Sequence, residues 1–402
     1  MLDKAKKYSW IMSAISKLKW STKKEVITHF LTSKKKYIPK KKTNADVDNI
    51  LKCALCPNMC RFDCPVLRVE KSETSSPSGK ARIAYLVEMN RLNFSDDVID
   101  LMYKCASCDA CKEWCPFDFS LGELLIGVRK DIVEKGLVPS SLTIFKERLE
   151  ENHTIYEEGI TSLGLEAKKG DVLYFAGCTT LNKRKEVANA NIKILEKAGI
   201  NFTTLSNEWC CGAPLSILGF GSDFKKFAEH NIKAIRESGC KTMICGCPEC
   251  VHTFKELYPR MGLKLNVEIL HTSQFLLKLV EEGKIKMRRS EEEYVYHDPC
   301  VLSRKLNICE EPRELLKNIP ELKLKEAQFD RKETRCCGRG GMLGVTNPKI
   351  SLEMAKNRVS GLREACNSIV TACPTCELAF KNVNKKLRVL DLSELILETM
   401  EE

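Results

Sequence analysis

Short apolar runs alternate with amphipathic stretches along the second half of the chain. Residues 171–176 are apolar and predict a strand, and residues 183–198 repeat apolar side chains at helical spacing up to Gly199. The same pattern continues with strands at 201–205, 241–245, 294–297 and 368–372 and with helices at 222–237 and about 348–364. This alternation predicts an α/β architecture with mainly parallel strands, in which ligands bind on loops at the carboxyl ends of the strands.

Cysteines recur at these strand ends in two sets of five. Each set has a single cysteine, an adjacent pair that runs into glycine, and a final pair separated by two residues. The sets are Cys178, Cys210, Cys211, Cys247, Cys250 and Cys300, Cys336, Cys337, Cys373, Cys376. Five thiols exceed the four that one tetrahedral metal needs, which favours a multinuclear centre and leaves zinc as the alternative.

The 402-residue chain has 22 cysteines, which indicates metal binding more than a disulfide scaffold. Disulfide scaffolds are mostly small and secreted, and the sequence shows neither a signal-peptide pattern nor an apolar run long enough to span a membrane. We therefore expect a cytoplasmic protein with reduced, metal-loaded thiols.

Positive charge is concentrated at the N-terminus. Residues 1–42 hold 13 lysines and two acidic residues, so their net charge of +11 equals that of the whole chain. The remainder is neutral, which argues against nucleic acid as a partner of the globular body. A basic amphipathic helix is predicted here, as a solvated or partner-docked arm or, alternatively, as a peripheral attachment to the inner face of the cell membrane. Its helically spaced apolar residues are Trp10, Ile11, Ala14, Ile15 and Leu18.

Two tight runs of four cysteines precede the repeats. The second run, C-x2-C-x2-C-x3-C-P, is the bacterial ferredoxin pattern, and the first is one residue longer in its middle gap. In such proteins the fourth cysteine of each run binds the other [4Fe–4S] cluster. This rule assigns Cys53, Cys56, Cys60 and Cys115 to one cluster and Cys64, Cys105, Cys108 and Cys111 to the other. A zinc ribbon is the alternative, against which eight ligands at these spacings argue.

These patterns divide the chain into five predicted segments. They are a lysine-rich leader (1–45), a helical ferredoxin-type domain with two [4Fe–4S] clusters (46–140), a linker (141–168) and two duplicated α/β domains (169–290 and 291–402). The duplication predicts that the last two domains face each other about a pseudo-two-fold axis.

The repeated blocks resemble the cysteine-rich, CCG-domain family. The blocks are Cys210-Cys211-Gly212, Cys336-Cys337-Gly338, Cys373-Pro374-Thr375-Cys376 and the segment Tyr296–Cys300 with Arg304. Members include the disulfide-reducing subunits of methanogen heterodisulfide reductase and iron–sulfur subunits of glycerol-3-phosphate, glycolate and lactate dehydrogenases. A ferredoxin domain followed by two CCG domains is similar to the D subunit of the membrane-type heterodisulfide reductase, an enzyme of methanogenesis. The resemblance implies a non-cubane [4Fe–4S] centre held by all five cysteines of each module.

The resemblance implies reduction of the coenzyme M–coenzyme B heterodisulfide. Cleaving a disulfide takes two electrons, whereas a cluster delivers one, so two complete modules suggest two half-sites for one bond. The substrate is anionic, and arginine and lysine are expected to bind it. The candidates are Lys183, Arg184, Arg304 and Arg339, with His297 as a proton donor or a structural neighbour.

The predicted function is that of a heterodisulfide reductase-like oxidoreductase that works as part of a complex. The chain has no flavin or nicotinamide fingerprint, so a cytochrome b-like membrane protein or a flavoprotein is expected to supply electrons. The alternatives are an electron-relay component of a flavin-dependent glycolate, lactate or glycerol-3-phosphate dehydrogenase, and a non-enzymatic iron–sulfur scaffold or redox sensor.

The remaining cysteines fall outside these sets. Cys240 and Cys366 occupy equivalent positions in the repeats and are expected to be small buried side chains. Cys245 is either buried or a spare ligand, and Cys309 follows no pattern. The glycine-rich segment 338–341 lacks the spacing of a phosphate loop and is expected to pack its backbone against a cluster.

Overall fold

A computed structural model describes residues 16–37, 39, 42–160, 163 and 169–401. Trp10, Ile11, Ala14 and Ile15 of the predicted leader helix lie outside this part, so that helix stays a prediction. Within the described leader, helix α1 spans Trp20–Tyr37. Across the residues that the structure covers, no helix combines the length and the apolar character needed to cross a membrane.

Helices build the region that carries the two cysteine runs. They are α2 (Val47–Leu55), α3 (Pro65–Glu70), α4 (Pro77–Glu88), α5 (Asp96–Tyr103), α6 (Ala110–Glu113), α7 (Leu121–Glu134) and α8 (Ser140–Asn152), with 3₁₀ turns at Met59–Asp63 and Glu73–Ser75. Ser76 caps α4 by accepting the Gly79 N–H, and Pro77 follows in the first turn. Proline starts α3 as well, directly after Cys64, so that the last cysteine of the first run lies at a helix start.

The repeats fold into two four-stranded sheets with the orders β2-β1-β3-β4 and β6-β5-β7-β8. Every neighbouring pair is parallel, which confirms the predicted α/β class with parallel strands. The strands are β1 (Val172–Phe175), β2 (Phe202–Thr203), β3 (Thr242–Cys245), β4 (Glu268–His271), β5 (Glu293–His297), β6 (Lys323–Lys325), β7 (Ile369–Thr371) and β8 (Val389–Asp391). The edge strands β4, β6 and β8 were not among the predicted ones.

Helices connect the parallel strands in both modules. Those of the first are α9 (Cys178–Lys183), α10 (Lys185–Lys197), α11 (Ala213–Leu218), α12 (Gly221–Ser238), α13 (Pro248–His252), α14 (Tyr258–Arg260) and α15 (Thr272–Glu281). Those of the second are α16 (Glu311–Lys317), α17 (Leu343–Thr346), α18 (Pro348–Arg363), α19 (Pro374–Val383) and α20 (Leu392–Thr399), with 3₁₀ turns at Arg331–Glu333 and Gly340–Met342. The three predicted helices correspond to α10, α12 and α18, within two residues at each end. Single π-helical segments, Thr253–Leu257 and Val301–Lys305, follow cysteines of the two sets.

Buried apolar side chains join the three folded regions. One core cluster combines Leu125 and Val128 of α7 with Phe224 and Phe227 of α12, so the helical region packs on the first module. A second cluster contains Tyr174 of β1 and residues of both modules. The modules therefore pack on each other, while the domain boundaries predicted from composition stay predictions.

Candidate functional site

Two small cavities in the helical region are each lined by four cysteines. The first has about 300 Å³ free of protein atoms and is lined by Cys53, Cys56, Cys60 and Cys115. The second has about 370 Å³ and is lined by Cys64, Cys105, Cys108 and Cys111. Each cavity thus takes three cysteines from one run and the fourth from the other, which is the grouping that the ferredoxin pattern assigns.

Two thiols of the first cavity, those of Cys53 and Cys60, resist ionisation. Burial, followed by the neighbouring thiols, raises the pKa of Cys53 to about 12, and burial likewise raises the pKa of Cys60 to about 12. Metal ligation requires thiolates, so metal binding here releases protons. Among the described residues, no group of three or more histidine, cysteine, aspartate or glutamate side chains is arranged to hold a metal ion. In a [4Fe–4S] cluster each thiolate bonds a different iron, so its ligands do not converge on one point.

In the two modules the strands deliver the cysteines at their carboxyl ends. Strand β1 ends at Phe175 and leads through Gly177 to Cys178, and the next strand in space, β3, leads to Cys247. Gly177 has a φ of +83°, and a Cβ on it would lie 3.4 Å from the Cys250 sulfur. Glycine therefore brings the backbone of the first cysteine loop against the thiol of the last.

Thiols within each set lie close together. Sulfur–sulfur distances are 3.6 Å for Cys178 and Cys210, 4.0 Å for Cys300 and Cys336, and 3.2 Å for Cys337 and Cys376. Cys211, Cys247 and Cys250 of the first set are likewise within hydrogen-bonding reach of one another in the order 211, 250, 247. Each set of five therefore forms a compact group of sulfurs, although its members come from three separate segments of chain.

The sulfur groups also meet each other. Cys247 of the first module lies within hydrogen-bonding reach of Cys373 of the second. Cys336 of the second module reaches Cys108 of the helical region in the same way. Sulfur contacts thus connect the second ferredoxin-type cavity to the second module, and that module to the first.

The glycine-rich segment lies at the junction with the helical region. Gly341 has a φ of +63°, and a Cβ on it would lie 1.9 Å from the Cys105 carbonyl oxygen, so only glycine fits. A Cβ on Gly340 would likewise collide with the Ala106 carbonyl oxygen, and the Gly338 N–H donates to the Cys336 sulfur at 3.4 Å. The segment brings its backbone against two cysteine-bearing loops.

One larger cavity, about 1190 Å³ free of protein atoms, lies between the modules. Nine of the ten module cysteines line it, all except Cys336. Much of its wall is apolar, formed by Ile155, Ala213, Pro214, Ile217, Val301, Met342, Val345 and Leu378. Arg339 and Glu249 are the charged residues of the described wall. Burial opposes the ionisation of Glu249, but Lys305 and His252 outweigh it and lower the Glu249 pKa to about 2.

Of the four basic residues predicted to bind substrate, Arg339 lines this cavity, and the other three contact different partners. Arg184 donates to Glu377 at 2.8 Å, across the module interface. Lys183 donates to Glu158 at 2.6 Å and lies over the Tyr156 ring. Neither side chain lines the cavity.

The other two predicted polar residues are buried within the second module. Arg304 donates to the Cys108 carbonyl oxygen at 2.6 Å. His297 accepts a hydrogen bond from Arg358 Nε at 3.1 Å through Nδ1, and its ring is fully buried. Burial, followed by the two arginines Arg358 and Arg304, lowers the pKa of His297 well below its usual range, so the imidazole is neutral. Neither residue is part of the cavity wall.

Three hydroxyl groups of the cavity wall were not predicted from the sequence. Tyr156 donates to Thr179 Oγ1 at 3.1 Å, and Thr375 donates to the same oxygen at 3.5 Å. Burial raises the pKa of Tyr156, so this hydroxyl keeps its proton. Thr179 follows Cys178 directly and Thr375 lies between Cys373 and Cys376, so adjacency to the cysteines was the available signal.

The four cysteines outside the sets do not line the described cavities. Cys240 is buried in the core, and Cys366 is partly exposed, with its thiol 3.2 Å from the Glu293 carbonyl oxygen. Cys245 is fully buried at the end of β3. Cys309 lies 3.8 Å from the Ser303 carbonyl oxygen.

Comparison with known proteins identifies the class of protein to which this chain belongs. The family of cysteine-rich domains (CCG) matches residues 172–255 and 294–381, and the 4Fe-4S dicluster domain matches residues 49–119. The chain is an iron–sulfur protein of the oxidoreductase class.

Named relatives narrow the class. The D subunit of dihydromethanophenazine:CoB–CoM heterodisulfide reductase from Methanosarcina acetivorans is 32% identical over 299 residues, which are 71% of this chain and 72% of that protein. The B subunit of fumarate reductase (CoM/CoB) from Methanothermobacter marburgensis is 28% identical, covering 87% of this chain and 72% of the relative. EtfAB:quinone oxidoreductase of Syntrophomonas wolfei is 27% identical, covering 75% and 47%. The chain belongs to the CCG-domain iron–sulfur family and resembles the D subunit of heterodisulfide reductase.

A solved structure shares the fold. A hypothetical protein from Helicobacter pylori aligns with 99% of this chain and 76% of its own length at a TM-score of 0.55 and 12% identity. At this identity the similarity concerns the fold alone.

The family binds [4Fe–4S] clusters in its dicluster domain and in its cysteine-rich domains, and the residues of this chain fit them. Each ferredoxin-type cavity offers four thiols, the donor that such clusters use. Each module offers five thiols in one sulfur group, and buried thiols that face one another in this way suit a soft metal centre. Eighteen cysteines in total would hold the four centres.

Proposed function

We propose that this chain is the disulfide-reducing component of a heterodisulfide reductase-like complex and that its substrate is the coenzyme M–coenzyme B heterodisulfide. The observation that carries the proposal is the intermodule cavity, to which both modules contribute cysteines. The relative named as the D subunit of heterodisulfide reductase supports it. A disulfide in this cavity would lie beside both sulfur groups, near the point where Cys247 meets Cys373.

The residues of the cavity wall have separate tasks in this proposal. Apolar side chains such as Ile217 and Met342 exclude water around the bond, and Arg339 binds an anionic group of the substrate through its forked donors. The Tyr156, Thr179 and Thr375 hydroxyls are hydrogen-bonded to one another and would relay protons from solvent to the product thiolates, each hydroxyl regaining a proton as it gives one up. When bound, the clusters would supply electrons one at a time, and cleaving the disulfide takes two.

We also propose that each set of five cysteines holds one non-cubane [4Fe–4S] centre and that a pseudo-two-fold axis relates the modules. Two observations support this symmetry. Both sheets have the same strand order, with the first strand of each module second in its sheet. The paired and final cysteines of the two sets are also 126 positions apart.

The proposed complex includes a separate electron donor. A cytochrome b-like membrane protein or a flavoprotein fits this role, because the sequence carries no flavin or nicotinamide fingerprint. We propose a cytoplasmic location, with any membrane contact made at the inner face.

The decisive experiment is an anaerobic assay of the purified, cluster-reconstituted chain with reduced methyl viologen. We expect viologen oxidation that depends on the coenzyme M–coenzyme B heterodisulfide and yields two thiols per disulfide. Reactions without disulfide provide the baseline. A chain with its full iron content that shows no disulfide-dependent oxidation would contradict the proposal.

The second candidate function is electron relay within a flavin-dependent dehydrogenase complex. The relative named EtfAB:quinone oxidoreductase favours it, because that name describes electron transfer to a quinone. A relay chain would be reduced by viologen and reoxidised by a quinone or a partner protein, and disulfides would leave the rate unchanged. The same assay therefore separates the two functions.

Replacing Tyr156 with phenylalanine is expected to lower kcat by a factor between about 10 and about 10², the second figure being the lower end of the range for general-acid groups. KM is expected to stay unchanged. The substitution removes a hydroxyl that bonds Thr179 and keeps the aromatic ring in the wall. Steady-state viologen kinetics measure the effect. The control is Tyr294→Phe, because the Tyr294 hydroxyl bonds Glu292 outside the cavity. Equal rates for the Tyr156→Phe variant and the wild type would remove Tyr156 from the proton path.

A further inference from the structure

Arg304 lies at the junction between the helical region and the second module. Its Nε donates to the Cys108 carbonyl oxygen at 2.6 Å, and Nη1 donates to the Lys332 and Thr334 carbonyl oxygens at 2.9 and 2.7 Å. The side chain is buried, four positions after Cys300. One guanidinium therefore ties the loop of a ferredoxin-type cysteine to the segment that leads into the Cys336 pair.

The positive charge of Arg304 is not neutralised by these hydrogen bonds. All three end on carbonyl oxygens, whereas Arg313, another buried arginine of this module, forms ion pairs with Asp298 and Glu326. Nη2 of Arg304 is buried and has no hydrogen-bond partner among the described residues. Burial alone would lower the pKa of Arg304, but Cys108, Cys300 and Cys336, together with Asp63, outweigh it. The charge thus faces thiols of both adjoining sites.

We infer that Arg304 is a positioning residue for electron transfer, whose charge raises the reduction potential of the cluster held by Cys64, Cys105, Cys108 and Cys111. Reduction adds an electron to a cluster, and a fixed cation in a low-dielectric surrounding stabilises the more negative state. The higher potential would favour electron transfer from the outer cluster to this one, which lies beside the second module where Cys108 meets Cys336. This direction rests on the proposed function, whereas the effect on the potential does not.

The outer ferredoxin-type site supplies a control that differs in burial. Arg82 donates to the Ala54 carbonyl oxygen at 2.9 Å, and its charge acts on Cys53. Like Arg304, it is a cation bonded to a carbonyl oxygen of a cysteine-bearing segment, but its side chain is exposed and that of Arg304 is buried, so water screens the charge of Arg82.

The test is an EPR-monitored redox titration of the cluster-loaded full chain. Arg304→Gln is expected to move the midpoint of one dicluster signal to lower potential and leave the other unchanged. Arg82→Gln is expected to shift the other midpoint by less than Arg304→Gln shifts its own, because water screens the exposed Arg82 charge. Arg304→Lys keeps the charge and is expected to restore the wild-type midpoint. Iron analysis confirms that each variant carries its full clusters.

Unchanged midpoints in Arg304→Gln would overturn the inference, and so would an equal shift of both signals, which a general structural disturbance would produce. If Arg304→Gln fails to hold iron, Arg304→Lys decides the matter, because a midpoint below that of the wild type would show that charge is not the cause. Disulfide turnover does not enter these measurements, so failure of the proposed function and failure of this inference are distinguishable.

Discussion

Cys250→Ser is expected to abolish disulfide-dependent viologen oxidation while both dicluster EPR signals persist. Cys250 is buried, lines the intermodule cavity and lies within reach of Cys211 and Cys247. Serine matches its size but offers a hard oxygen in place of the soft thiolate that iron–sulfur centres use. Since losing an outer-shell partner alone costs metal sites about 10–100-fold, losing a ligand is expected to cost at least about 100-fold in turnover.

The measurement pairs the viologen assay with iron analysis and EPR. Cys240→Ser is the matched control, because Cys240 is buried in the same module but does not line the cavity. We expect it to keep turnover within about twofold of the wild type, since its effect is confined to packing. A Cys250→Ser chain with full iron and wild-type turnover would show that four thiols suffice, and would remove the reason for a five-cysteine centre.

The central strands were predictable because their physical cause is local. Strands β1, β3, β5 and β7 are apolar on both faces, as strands covered by helices on both sides must be. The edge strand β6 is only three residues, Lys323–Lys325, with two exposed lysines. Backbone pairing with β5 defines it, and the alternation of leucine and lysine over residues 322–325 is too short to indicate a strand by itself.

The grouping of the module cysteines at one edge of each sheet was predictable for a related reason. Each module cysteine follows a strand or a turn whose end the sheet fixes, so spacing along the sequence determines which thiols share an edge. The contact partners of the basic residues could not be predicted in this way. Arg184 and Arg304 follow the first cysteine of their modules, but their partners Glu377 and Cys108 lie 193 and 196 residues away. Contacts over such separations depend on domain packing, which no local pattern records.

Arg184→Met is expected to lower the free energy of unfolding by about 3 kcal/mol, at the low end of the ~3–5 kcal/mol cost of removing one partner from a buried ion pair. Arg184 bonds Glu377 through two nitrogens, and Glu377 is fully buried beside Cys376. Burial alone would lower the pKa of Arg184, and the bond to Glu377 outweighs it. Lys381 also contacts Glu377 and limits the loss, which is why the lower figure applies.

Urea unfolding of the cluster-loaded chain, followed anaerobically by circular dichroism, measures this loss, and the neighbouring residue provides the control. Lys183 forms an ion pair with Glu158 in which both side chains are largely solvent-accessible, so Lys183→Met is expected to cost less than about 1 kcal/mol.

The double variant Arg184→Met/Glu377→Leu is expected to recover most of the stability, because an apolar pair can replace a buried ion pair at little cost. Equal losses in the two single variants would mean that the Arg184–Glu377 pair does not hold the modules together. An unrecovered double variant would assign the loss to packing of Arg184 and not to the charge left on Glu377.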